Sequence, residues 1–122
     1  MSIRRVALLM GFEAITLVVM STLHLTGVLN GGEPPHGVNR AGIAEAIIAV
    51  VLVVGALTLA GRPGPIAIGA IVFAIAGFGV GLSMTAREGA TGDIAYHATM
   101  LPILLFTLVV AVRNEMNKKE RR

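Results

Sequence analysis

The sequence contains no cysteine and no tryptophan, and it has a single tyrosine. The absence of cysteine excludes disulfide bonds, thiolate metal sites and cysteine nucleophiles. The lack of tryptophan leaves little for the aromatic belts that commonly mark membrane–water interfaces. Charged residues make up only 14% of the chain, against 55% hydrophobic residues. A mean hydropathy of +0.82 is too apolar for an ordinary soluble domain, so the composition indicates a membrane protein.

Four long apolar segments follow one another, at about 6–29, 41–60, 66–86 and 94–112. Each is near the 20 residues that cross roughly 30 Å of hydrocarbon as a helix. Glycine- and proline-rich stretches separate them, and Pro102 is predicted to kink the fourth helix. The sequence therefore predicts one all-α domain over residues 1–122, an integral membrane four-helix bundle.

The basic residues predict the orientation of this bundle. One side of the four spans carries eight of them: Arg4, Arg5, Arg62, Arg113, Lys118, Lys119, Arg121 and Arg122. The other side carries only Arg40 and Arg87. The positive-inside bias then predicts a multi-pass protein of the cytoplasmic membrane with both termini in the cytoplasm. This placement of the basic residues also accounts for the calculated pI of about 10.2. We therefore do not predict nucleic acid as a partner. His36 is predicted to be exposed in the first external loop.

Small residues predict where the helices approach each other closely. The third segment carries a Gly77-x-x-x-Gly81 step, and the second places Gly42, Glu45 and Ala49 near one face. Such residues let two backbones come together in lipid. We favour packing within the chain over contact with a second copy, although a homodimer or a larger membrane complex is an alternative.

Three titratable residues share one predicted depth. At 1.5 Å per residue, His24, Glu45 and His97 lie about 5–8 Å below the outer ends of their helices. Met20, Tyr96 and Met100 are at neighbouring depths, and Asp93 is just above. Ionisable groups within a membrane span usually face a bundle interior or a polar cavity. We therefore predict an outward-side pocket that uses His24, Glu45 and His97, with Met20, Tyr96 and Met100 as further ligand-binding residues.

The chemistry of this pocket stays open at the level of sequence. Two imidazoles and a carboxylate match a first-row metal site with ligands His24, His97 and Glu45, and Asp93 or Tyr96 would support them. Two histidines could instead ligate a haem. A His–Glu pair could also bind a lipophilic small molecule and act on it as acid and base, with Glu45, His97 and Glu13 as catalytic candidates.

Each of these residues also has a purely structural interpretation. His24 could donate to a carbonyl of a neighbouring helix, and Glu45 could pair with Arg40. His97 could form a local pair with Asp93, four residues before it. No metal-binding or catalytic sequence motif connects the three residues.

Glu13 supports a second hypothesis. It lies deeper than the other ionisable residues, on the same stripe of the first helix as His24, because eleven residues at 100° each return to within about 20°. In chain length, helix number and this lone carboxylate the sequence resembles the small multidrug-resistance transporters. That resemblance implies a dimer that exchanges protons for cationic drugs. The chain lacks the aromatic residues that such transporters place around the substrate. An accessory subunit of a membrane complex, without any site, is a third possibility.

Overall fold

The computed structural model describes residues 3–29, 39–61, 64–88 and 91–121. These residues form four helices: α1 (Ile3–Leu25), α2 (Arg40–Gly61), α3 (Gly64–Glu88) and α4 (Thr91–Glu120). All four are long and apolar enough to cross a membrane. The predicted all-helical fold with four apolar spans is therefore confirmed. The first predicted loop, with His36, lies outside the described residues.

Helix α1 ends earlier than predicted, at Leu25 instead of residue 29. Gly27 adopts a φ of 76°, a left-handed conformation that glycine reaches without a steric penalty. Its amide donates to the His24 carbonyl at 3.1 Å, and the Leu29 amide donates to the Leu23 carbonyl at 3.0 Å. These bonds satisfy carbonyls that the helix end would otherwise leave open. The apolar pattern continues past this point, so it overestimated the length of α1.

Helix α4 ends later than predicted, at Glu120 instead of residue 112. Its assignment continues through Pro102 and into a polar C-terminal segment. That segment contains no glycine or proline, and Glu115 and Lys118 form a partly buried ion pair at 3.8 Å. Hydropathy detects only the lipid-compatible part of a helix, which is why it missed the polar turns.

The helices pack side by side around one apolar core. Met10, Leu17, Leu52, Ile71, Phe78 and Leu104 are among its fully buried side chains. Contacts are most extensive between α1 and α2, then between α3 and α4 and between α2 and α3. One end of the bundle holds the C-terminal ends of α1 and α3 and the N-terminal ends of α2 and α4; we call it the His24 end. Many large apolar side chains face outward, as in Leu8 at 72% and Leu57 at 70% exposed, which suits a lipid environment.

Glycines mark close helix contacts within the chain, as predicted for Gly42, Gly77 and Gly81. A side chain at Gly42 would lie 2.8 Å from the Leu25 side chain of α1. One at Gly77 would collide with Ile48 of α2, and one at Gly81 would collide with the ring of His97 on α4. The Gly77-x-x-x-Gly81 step thus faces two different helices of the same chain.

The side chain of Asn39 forms hydrogen bonds with both the start of α2 and the end of α1. Its side-chain oxygen accepts from the Gly42 amide at 3.0 Å, which is the geometry of a helix N-cap. Its amide nitrogen donates to the His24 carbonyl at 2.7 Å. The side chain therefore satisfies a free donor of α2 and adds a second hydrogen bond to the His24 carbonyl at the end of α1.

We expect Asn39→Ala to lower the free energy of unfolding by about 1–2 kcal/mol, because both contacts are lost. Asn39→Ser keeps a capping oxygen and loses only the donor to His24, so its loss should be smaller. Thermal unfolding in detergent measures which of the two variants is less stable. Equal losses for the two variants would show that the cap contributes nothing.

Candidate ligand-binding site

The imidazole of His24 lies between two carboxyl groups from two other helices. Its Nδ1 is 2.8 Å from Glu45 Oε2 on α2, and its Nε2 is 3.3 Å from Asp93 Oδ2 on α4. All three residues are buried, and only 2% of the surface of His24 is exposed. The predicted proximity of His24 and Glu45 is therefore present in the structure. Within the described residues the ion pair found for Glu45 is with His24, whereas the structural interpretation paired it with Arg40.

The two contacts need one hydrogen each. Carboxylate oxygens only accept, and a neutral imidazole has one N–H, so a neutral His24 beside two carboxylates would leave one contact without a hydrogen. Both contacts are hydrogen bonds when two protons are shared among the three groups. Without any of these protons, the two carboxylates and the imidazolate ring would carry three negative charges in total. Adding two protons leaves the cluster with a net charge of −1, whichever groups hold them.

His97 joins this cluster through the backbone of Asp93. Its Nδ1–H donates to the Asp93 carbonyl at 2.7 Å. Its ring contacts Tyr96 and Phe78, with centroids 5.5 Å and 5.2 Å away, and its Nε2 side packs on Gly81. The local pairing of His97 with Asp93 is thus present, through the main chain, while the Asp93 carboxyl turns to His24.

Asp93 is the member of the cluster that sequence reasoning gave only a supporting role. The available signal was its position four residues before His97 at the start of α4. Helix spacing shows that Asp93 and His97 are neighbours, but it does not show that the aspartate side chain reaches α1. Through the Asp93 side chain, α4 joins α1 and α2 in forming the site.

A cavity of about 570 Å³ lies between α2 and α3 at the His24 end. Its polar lining includes His24, Glu45, Asp93 and His97. Apolar side chains form most of the remainder, among them Leu17, Ile47, Ile48, Phe73, Phe78, Val80 and Met84. The volume is typical of pockets for small organic ligands.

The cavity runs from the bundle interior to its outer surface. Leu17 and Phe78 are each 1% exposed, whereas Ile47 and Phe73 are about half exposed, at 51% and 48%. Apart from Arg40 at the end of the bundle, these exposed members belong to faces that suit lipid, so the opening is mainly lateral and apolar. Glu45 is buried among the lining residues, and its Oε1 has no hydrogen-bond partner within the described part of the chain.

The other predicted ligand-binding residues do not line this cavity. Met100 is buried in the core at 4% exposed, and Met20 is half-buried on α1. Tyr96 directs its hydroxyl to Thr16 Oγ1 at 3.2 Å, which links α4 to α1. Depth along the helix placed these residues correctly near the cluster, but the rotation of each helix turns them away from the space between α2 and α3.

The metal and haem hypotheses stay predictions, and the geometry around His24 gives them no support. Among the described residues, no group of three histidine or acidic side chains is arranged to hold a metal ion. A histidine ligand needs a ring nitrogen with a free lone pair, and both nitrogens of His24 already face carboxyl oxygens. His97 retains only Nε2. Of the set His24, His97 and Glu45, only His97 Nε2 and Glu45 Oε1 are therefore open to a metal or haem iron, and His24 offers no free nitrogen.

Glu13 forms a separate polar contact deeper in the bundle. It is fully buried, and its Oε1 lies 2.7 Å from the hydroxyl of Thr107 on α4. Thr16 donates to the Glu13 backbone carbonyl at 2.8 Å, so the side-chain contact of Glu13 is with a neighbouring helix. Glu13 does not line the α2–α3 cavity. Its role in proton-coupled transport stays a prediction.

Comparison of the chain with known protein families, with curated proteins and with solved structures finds no significant match. The function must therefore be argued from the site itself.

We expect Thr107→Val to destabilise the protein by about 1–3 kcal/mol, since it removes the hydrogen-bond partner of a buried carboxyl group at nearly constant volume. The double variant Glu13→Leu/Thr107→Val removes both polar groups and should recover much of that loss. Thermal unfolding of the single and double variants in detergent measures the coupling. Additive losses would show that the Glu13–Thr107 contact does not stabilise the fold.

Proposed function

We propose that this chain binds a lipophilic small molecule in the cavity between α2 and α3. One observation carries the proposal: the apolar, laterally open cavity reaches a buried polar cluster in which one oxygen of Glu45 has no hydrogen-bond partner among the described residues. Buried polar atoms are nearly always hydrogen-bonded, so an open acceptor beside a cavity is a natural place for a ligand group. The apolar walls would hold the body of the ligand, and the cluster would hold its head.

The route of entry follows from the same arrangement. Ile47, Phe73, Val80 and Met84 line the cavity and are about half exposed or more. In a bilayer these side chains face acyl chains, so an apolar molecule dissolved in the membrane reaches the cavity without crossing water. The substrate of such a site is a membrane-soluble compound of a size that fits about 570 Å³.

The orientation completes the proposal. With both termini in the cytoplasm, as the eight-to-two distribution of basic residues predicts, the His24 end lies in the outer half of the cytoplasmic membrane. The cavity would then exchange ligands with the outer leaflet.

Single cysteines test this orientation, because the chain has no cysteine of its own. We expect Gly32→Cys, between α1 and α2, to react with an impermeant thiol reagent added to intact cells. Met116→Cys, which is half exposed near the end of α4, should react only after the membrane is permeabilised. The opposite pattern would place the cavity in the inner leaflet.

Binding to the cavity is tested with 1-ethylnaphthalene, an apolar probe, and protein in lipid nanodiscs. We expect saturable binding beyond that of empty nanodiscs, measured by equilibrium dialysis. Ala44→Trp places a large side chain at a lining position, and it should weaken binding by about tenfold or more, equivalent to about 1.4 kcal/mol.

The matched control is Ala98→Trp, at an exposed position of α4 that does not line the cavity. It should leave the affinity for 1-ethylnaphthalene unchanged. Equal effects of the two tryptophans, or binding no greater than in empty nanodiscs, would contradict the proposed function.

A further inference from the structure

We propose, on the basis of the ligand site above, that the head group of the ligand is a cation of the alkylammonium type, and that Glu45 binds it. The inference concerns the chemical class of the ligand. It rests on the hydrogen bonds that the cluster leaves unmade and on the charge that the cluster carries.

The cavity offers hydrogen-bond acceptors that lack donors. Glu45 Oε2 is occupied by His24, and Oε1 is open although the side chain is only 6% exposed. His97 donates through Nδ1, so in its neutral form Nε2 is an acceptor, and no hydrogen bond to it is found within the described residues. Thr85 Oγ1 donates to the Leu82 carbonyl of its own helix, which leaves only its lone pairs.

An ammonium group complements this pattern because it has three donors and no acceptor. A carbonyl, ether or carboxylate head would place one acceptor against another. Glu45 lines the cavity, so its Oε1 is available to a head group at the inner end while Oε2 keeps the contact with His24.

Charge selects a cation over a neutral donor. With one proton in each contact, His24, Glu45 and Asp93 together carry a charge of −1 in an apolar part of the bundle. An uncompensated buried charge is costly, and a cationic ligand would neutralise it. Arg40 also lines the cavity, but it is exposed and has an interaction of its own. Its side chain is exposed at the rim, whereas Glu45 is buried.

Three probes of nearly equal shape test the proposal in nanodiscs at pH 7: 1-naphthylmethylamine, which is a cation, 1-naphthylmethanol, which is a neutral donor, and 1-ethylnaphthalene, which has neither feature. We expect the amine to bind about tenfold or more tighter than 1-ethylnaphthalene, with the alcohol between them. Binding to empty nanodiscs is subtracted for each probe.

Glu45→Gln removes the charge while its amide oxygen still accepts from His24, and it should abolish the preference for the amine. Glu115→Gln, the matched carboxylate near the other end of α4, should keep it. Thermal unfolding checks that both variants fold. If Glu45→Gln does not fold, the order of the three probes on the unmodified protein decides the matter.

The outcomes separate this inference from the proposed function. If 1-ethylnaphthalene binds and the amine binds no tighter, the cavity holds a ligand but the open oxygen holds only water, and the cation proposal is wrong. An alcohol that binds as well as the amine, or a preference that survives in Glu45→Gln, overturns it too. If none of the probes binds above empty nanodiscs, both proposals fail.

Discussion

The burial of two carboxyl groups and an imidazole at one end of an apolar bundle is the constraint on which the rest of this structure depends. A charge without a partner in such surroundings costs several kcal/mol, so each group requires a partner. His24 meets that requirement for Glu45 and Asp93 at once, since it presents one ring nitrogen to each. Through these two contacts the His24 ends of α1, α2 and α4 are held in one register.

The remaining buried polar contacts reinforce the same three helices. Ser21 donates to the Gly42 carbonyl, which joins α1 to α2, and Thr107 and Tyr96 of α4 contact residues of α1. Helix α3 differs, because the side-chain hydrogen bonds of its described residues stay within the helix, as with Ser83 and Thr85. Apolar packing and the close contacts at its glycines hold α3 in place.

This difference explains where the cavity lies. Polar contacts fix the spacing of α1, α2 and α4, while α3 is positioned by shape alone, and the open space is between α2 and α3. Dispersion contacts are individually weak and are regained when an apolar ligand replaces a neighbouring side chain or lipid. A lateral cavity beside the helix without polar contacts to its neighbours is therefore the arrangement that disturbs the buried charges least.

Sequence alone was sufficient for the four apolar helices and for the common depth of His24, Glu45 and His97, because helix rise and hydropathy depend only on position along the chain. The ends of α1 and α4 were misplaced, since Gly27 and the polar turns after residue 112 act through backbone geometry that hydropathy does not record. Only the tertiary structure showed that Asp93 pairs with His24 and that Met20, Tyr96 and Met100 point away from the cavity. Depth is a one-dimensional property of the chain, whereas the rotation of each helix is decided jointly by all the side chains that pack against it.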